Sequence, residues 1–208
     1  MATFAIPGAG LSPEEAANRS RHSGRVLPLS QMLGQYNLPS REVCHCLFNG
    51  FLDSVHWFMI VFHEPSLRIL FDEIVETRSA RIDQLRVVML ILTILLMGAR
   101  YASRTSIAGT CLQDIDLEEL QSAILDRVKI HFFDIMNDVG VESVQVCILL
   151  GSFYLYTGKP NLALAVLGAG IRSAQALNLH CEPLWGNIDD VTRETRKRAW
   201  WVIYNFDR

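Results

Sequence analysis

The chain lacks the surplus of positive charge carried by domains that grip phosphates. Its 208 residues hold 19 lysines and arginines against 22 aspartates and glutamates, a net charge of −3. Proteins that hold DNA through its backbone neutralise several phosphates and are usually strongly basic. Bulk electrostatics therefore argue against direct nucleic-acid binding. Cysteine is sparse: Cys44, Cys46, Cys111, Cys147 and Cys181 are odd in number and scattered, which suits a reducing compartment rather than a disulfide framework. No charged-then-apolar signal opens the sequence. The longest apolar run, residues 87–97, is broken only by Thr93. As a helix it would cover roughly 16 Å, about half the apolar thickness of a bilayer. Flanked by Arg86 and Arg100, it reads as a buried core helix and not as a membrane span. There is no phosphate-cradling glycine loop and no serine nucleophile elbow.

What is present is a globular composition, 50% hydrophobic and 20% charged, long enough for one domain with a core. Residues 1–37, rich in Gly, Ser, Pro and Arg, read as a flexible leader. One short helix is expected there, from the capping box Ser12-Pro-Glu-Glu15. The domain proper is expected over residues 38–208. Ser40 can cap a helix over 41–58, whose apolar set Val43, Leu47, Phe51, Ser54 and Phe58 steps by four, three and four. Pro65 breaks the chain and Ser66 can cap a helix over 67–76; residues 77–83 read as a polar loop. Residues 85–101 are apolar almost all round, the mark of a central helix. Asp116 can cap a long helix over 117–137, with acids at its start favoured by the helix dipole.

Residues 142–156 and 161–177 form a helical hairpin around Gly158-Lys-Pro160. The second helix is loaded with glycine and alanine, which allow close helix packing. Asp189 and Asp190 open a last helix, on which Glu194 and Arg198 have the spacing of an ion pair. No stretch alternates convincingly as a strand. The expectation is an all-α, single compact multi-helix domain of about seven helices, in which hairpins of tetratricopeptide type are an alternative arrangement.

Candidate chemistry is thin. Cys44-His45-Cys46 offers zinc-type donors, but positions 44 and 46 point about 200° apart on a helix and cannot chelate together. Glu42-x-x-His45 and Asp53-x-x-His56 have di-iron spacing, yet lie on one predicted helix roughly 16 Å apart. Asp189-Asp190 resembles the paired acids of magnesium-dependent prenyl enzymes, but position 193 is Arg. Cys147 and Cys181 have no basic activator placed to face them, although His180 adjoins Cys181. The one basic cluster, Arg193, Arg196, Lys197 and Arg198, precedes Trp200, Trp201 and Tyr204. It reads as a solvated helix face with a core-facing aromatic side, against the sharper reading of a phosphate or stacking surface.

Three phrases carry a resemblance. Near the front stand Leu38-Pro-Ser-Arg-Glu-Val43, Val55-His-Trp-Phe58 and Phe62-His-Glu-Pro-Ser66. Then comes Gly170-Ile-Arg-Ser-Ala-Gln-Ala-Leu-Asn-Leu-His180. The chain closes with Arg196, Lys197 and Arg198, Trp200-Trp201 and Asp207-Arg208. In this order they resemble the middle regulatory region of fungal zinc-cluster transcription factors, the xylanolytic-activator regulatory domain. The resemblance covers about residues 38–208. It implies a non-enzymatic, nuclear regulator of transcription, with transcription machinery or regulatory proteins as partners and a small-molecule effector as a further ligand. It also implies that zinc and DNA recognition belong to a six-cysteine segment that these residues do not contain, and that the region continues past Asp207-Arg208. The closing residues Arg196, Lys197, Arg198, Trp200, Trp201, Asp207 and Arg208 are then a structural family motif. Asp207 is expected to be partly buried and paired. The alternative is a tetratricopeptide-like interaction scaffold built on hairpin 142–177, for which no second copy at the required period is visible.

Overall fold

The computed structural model describes residues 24–102 and 112–207; the capping box at Ser12, Cys111 and the motif residue Arg208 lie outside these residues. Strand β1 (Val26–Pro28) pairs antiparallel with β2 (Ser79–Arg81), Leu27 opposite Ala80. Helix α1 (Leu29–Met32) follows at once. Leu29 and Leu33 are buried in the main core, and Arg127 donates to the Leu33 carbonyl at 3.3 Å. The packed unit thus begins about ten residues before the expected boundary at residue 38, and residues 77–83 contain a strand and not only a loop. Pairing between segments so distant in sequence leaves no local periodic signal.

Ser40 caps α2 (Arg41–Phe51), accepting from the Val43 amide at 3.4 Å. The helix does not continue to residue 58. A π-helical turn, Leu52–His56, widens it by one residue, and the core face passes through Val55 and Met59 instead of Ser54 and Phe58. Helix α3 (Glu64–Thr77) starts before the expected residue 67, with Pro65 inside its first turn, where the missing amide costs nothing. Ser66 does not cap it; its hydroxyl meets His63 Nδ1 at 2.8 Å.

Helix α4 (Leu85–Ala102) is buried at every residue from Val88 to Ala99. By length and composition it could cross a bilayer, but α2, α5 (Leu117–Ile130) and α7 (Val141–Tyr156) pack around it. Thr93, in its middle, satisfies its hydroxyl on the Met89 carbonyl at 2.7 Å. Asp116 caps α5 as expected, accepting from Glu118 and Glu119 amides at 2.9 and 3.0 Å. The expected helix over 117–137 is broken at His131, and α6 (Phe132–Asn137) is a separate segment that buries Ile135.

Helix α8 (Pro160–Ala176) closes the hairpin with α7, and α9 (Asp190–Phe206) packs on both. The fold is all-α apart from the two-stranded ribbon. Nine α-helices occur among the described residues: the seven expected, plus the short α1 and α6.

Three glycines set the helix crossings. A Cβ on Gly98 of α4 would lie 2.1 Å from the Leu47 carbonyl oxygen of α2; one on Gly151 would meet Leu167 at 2.6 Å. One on Gly170 would meet Cys147 at 2.7 Å and Ile203 at 3.1 Å, at the junction of α7, α8 and α9. Gly168, by contrast, has nothing within 4 Å. Gly98→Ala is therefore expected to cost more than the ~1–3 kcal/mol of ordinary overpacking, because the obstacle is backbone. Gly168→Ala should stabilise by up to about 1 kcal/mol through helix propensity. Urea unfolding of both variants checks this; a Gly98→Ala protein as stable as the parent contradicts the crossing.

Candidate functional site

The phrases singled out in sequence meet along α9. Asp189 caps that helix, accepting from the Thr192 amide at 2.9 Å and the Thr192 hydroxyl at 2.6 Å. These bonds favour the ionised carboxylate and hold Asp189 below the usual carboxylate range. Helix α8 ends on Asn178 in the left-handed region (φ 54°). The Leu179 amide bonds the Ala174 carbonyl at 2.9 Å and the Asn178 amide bonds the Gln175 carbonyl at 3.0 Å, a Schellman closure that buries Leu179. Trp185, in the 3-10 turn Glu182–Trp185, donates its indole N–H to the Asn178 carbonyl at 2.8 Å.

The loop so anchored is strapped to α9 at three points. The Arg196 guanidinium lies 5.8 Å from the Trp185 ring centre, Lys197 pairs with Glu182 at 3.1 Å, and the His180 and Trp200 rings are 5.5 Å apart. Arg196 and Lys197 are therefore half-buried contacts to the loop, not a freely solvated face. Arg198 makes the expected bond to Glu194, at 2.7 Å. Ala199 and Ile203 are fully buried and Trp200 packs partly against the core, while Trp201 is 57% exposed. Asp207 is exposed at the helix end, against the expectation that it is partly buried; its amide bonds the Tyr204 carbonyl at 3.3 Å.

The N-terminal half of α9 also walls a cleft. One lobe, about 360 Å³, lies between α9 and the start of α3, with α4 and α7 as its floor; Phe62, Leu67, Leu70 and Leu90 line it, with Thr192, Thr195 and Arg196 on the α9 side. A second lobe of about 400 Å³ continues past Phe62 and His63 to His56, Glu194 and Arg198. Gln145 stiffens one wall, donating to the Val61 carbonyl at 2.6 Å. Nothing in the sequence marked this cleft, because its walls come from four helices and the π-helical turn that places His56.

The metal-ligand candidates do not assemble. Cys44 and Cys46 share α2; Cys44 is buried, its thiol donating to the Pro39 carbonyl at 3.6 Å. Burial pushes that thiol up to about 11 and the Cys147 thiol up to about 12, so neither is poised as a thiolate. His45 faces Asp72 at 3.9 Å and Phe71 edge-on, whereas His56 stacks on Phe62 at 4.5 Å. Among the described residues no three His, Cys, Asp or Glu side chains could share an ion. The resemblance itself assigns zinc to a six-cysteine segment other than these residues.

Comparison with known proteins gives the arrangement a family. The family model of the Fungal specific transcription factor domain matches residues 48–208. The chain is 27% identical over 205 residues to Transcription factor macR of Penicillium terrestre, covering 91% of this chain and 24% of that protein. It is 26% identical over 208 residues to Transcription factor yanR of Aspergillus niger, covering 91% and 25%. An uncharacterized transcriptional regulatory protein of Schizosaccharomyces pombe is 25% identical over 171 residues, covering 82% of this chain and 21% of its own length. The chain thus spans about a quarter of the length of these relatives. No solved structure matches it. The scaffold alternative gains no support; in the structure the α7–α8 hairpin packs on α9 and, through α7, on the central helix α4.

One side chain at the cleft has a titration consequence. Burial holds His56 below the ordinary histidine range; Glu64 opposes this and Arg198 reinforces it. Its Nδ1 is buried without a partner among the described residues. As pH falls, the unfolded chain takes up this proton first, so folded stability contributed by neutral His56 is complete above the ordinary histidine pKa and is lost below it. Between about pH 7.5 and 5.5 the melting temperature of His56→Gln should therefore fall less than that of the parent. Equal falls in parallel thermal melts would mean that the ring protonates freely inside the fold.

Proposed function

The chain belongs to the family of the Fungal specific transcription factor domain, and from that premise we propose that it is the regulatory domain of a fungal transcription factor, controlling attached segments and leaving DNA contact to others. The match over residues 48–208 carries this reading. The relatives' names, transcription factors and transcriptional regulators, support a role in regulating transcription. The net charge of −3 supports a role away from the DNA backbone. On this proposal the protein acts in the nucleus, is not an enzyme, and meets transcription machinery or other regulatory proteins. The zinc and the base-reading elements expected of such factors sit in a segment other than these residues.

The control element is α9 with the hairpin beneath it. Its fully buried line is narrow, Ala199 and Ile203; Trp200, Val202 and Phe206 pack partly against the core, and Arg196 and Lys197 are half-exposed straps to the 179–188 loop. A helix seated this way can shift between two packings at modest cost, and a ligand or partner favouring one packing moves the population.

Placed between a heterologous DNA-binding domain and an activation domain in a fungal reporter strain, the chain should change reporter output relative to a flexible linker of equal length. Gly170→Leu, which wedges the α7–α8–α9 junction, should return output to the linker value. Output from the parent indistinguishable from the linker would remove the regulatory reading. In filter binding, the isolated chain should show no DNA affinity that falls steeply with salt; a steep slope would signal phosphate contacts and contradict the proposed division of labour.

A further inference from the structure

The acids of the cleft and its rim are, with one exception, already matched to a neighbouring arginine. Glu64 pairs with Arg68 at 3.0 Å, Glu142 with Arg86 at 3.6 Å, and Glu194 with Arg198 at 2.7 Å. The exception, Asp190, sits at the exposed far end of α9, about 9 Å along the axis from Arg196. Arg196 lines the first lobe, and no carboxylate among the described residues lies within ion-pair distance of it. Its Nε is buried and has no hydrogen-bond partner among those residues. Trp185 holds the guanidinium from one side, so its free N–H edge is oriented rather than floppy. Thr192 and Thr195, one turn and one residue away, add hydroxyls on the same wall. Phe62, Leu67, Leu70 and Leu90 give the lobe an apolar stretch, beside which lie the polar residues His63, Ser66, Gln145 and the Arg86-paired Glu142.

We propose that this lobe is a binding site for a small amphiphilic carboxylate, its apolar body against Phe62, Leu67 and Leu90 and its carboxylate accepting from Arg196. A planar carboxylate matches the guanidinium fork. A volume of about 360 Å³ is in the range of small-molecule pockets. A cationic ligand would face Arg196 with no free acid beside it, and a purely apolar ligand would leave the guanidinium without an anionic partner. This deepens the regulatory reading by naming the chemistry of an effector, and the binding itself can be measured without any transcriptional readout.

The test compares three probes that share one body: 4-phenylbutyrate, 4-phenylbutanol and 4-phenylbutylamine, titrated calorimetrically into the 208-residue chain. The acid should bind about tenfold or more tightly than the alcohol, and the amine most weakly. Arg196→Gln should abolish the preference for the acid while leaving alcohol binding within about twofold. Thr195→Trp, which fills the lobe from the next position, should abolish binding of the acid even if Arg196→Gln fails to fold. Equal affinity for acid and alcohol, tightest binding of the amine, no saturable binding, or acid binding that survives Thr195→Trp would each overturn the proposal. So would an acid signal that vanishes at high protein concentration as dimers form in sedimentation, since the groove would then belong to a second copy of the chain. Acid binding with an unresponsive reporter would leave this site standing and sink the regulatory role; the reverse result would do the opposite.

Discussion

Everything in this domain is arranged around the place where α2 crosses α4 with no side chain between them. Gly98 lets the Leu47 carbonyl approach to a distance at which any Cβ would collide. That contact lets α4 bury all twelve residues from Val88 to Ala99. A helix apolar on every side must be covered on every side, and α2, α5 and α7 do so. Gly151 and Gly170 repeat the device in the outer layer, first between α7 and α8, then where α9 joins them. Each glycine weakens its own helix by about 1 kcal/mol relative to alanine. The offset is the dispersion and burial gained by bringing whole helices closer, which involves many side chains rather than one.

Much of this was legible because it is written locally. Ser40 and Asp116 announce their helices by capping them, Gly158 and Pro160 mark the hairpin turn, and the unbroken apolar run of α4 gives its own burial. What was not legible depends on register or on distant partners. The π-helical turn at Leu52–His56 exchanges Ser54 and Phe58 for Val55 and Met59 on the core face, a shift that a count of steps of three and four cannot detect. Leu29 and Leu33 have no local signal within a segment rich in Gly, Ser, Pro and Arg, because the strand and the arginine that fix them come about 50 and 100 residues later. The motif helix was only half readable. The Glu194–Arg198 pair follows from i,i+4 spacing, whereas the partners of Arg196 and Lys197 sit in the preceding loop, at Trp185 and Glu182. Asp207 was drawn inward by its aromatic neighbours in sequence, but neighbours along a helix face different directions, and it points to solvent.

The charges of the domain are organised more than they are strong. Arg41–Glu76, Arg68–Glu64, Arg86–Asp138 and Arg198–Glu194 all involve at least one half-exposed partner. Such pairs contribute little individually in water. Their effect is selective: Arg86 ties the start of α4 to the turn before α7, and Arg68 also reaches Asn49 of α2, at 3.3 Å. The apolar core supplies the stability, and the ion pairs fix which helix ends meet.

The same division explains how α9 could transmit a signal. Its C-terminal half is held by apolar burial at Ala199 and Ile203, against the glycine junction of the hairpin. Its N-terminal half is held by the Asp189 cap, the strap to the 179–188 loop, and the walls of the cleft. A change in the cleft acts on the polar half, where each contact is weak and rearrangement is inexpensive. Ile203 lies over Gly170, where even an added Cβ would find only 3.1 Å to its Cδ1, so a tilt of α9 would press on the junction of α7 and α8. On the proposed reading, a helix held by weak polar contacts at one end and by apolar burial at the other would couple occupancy of the cleft to the packing of the hairpin.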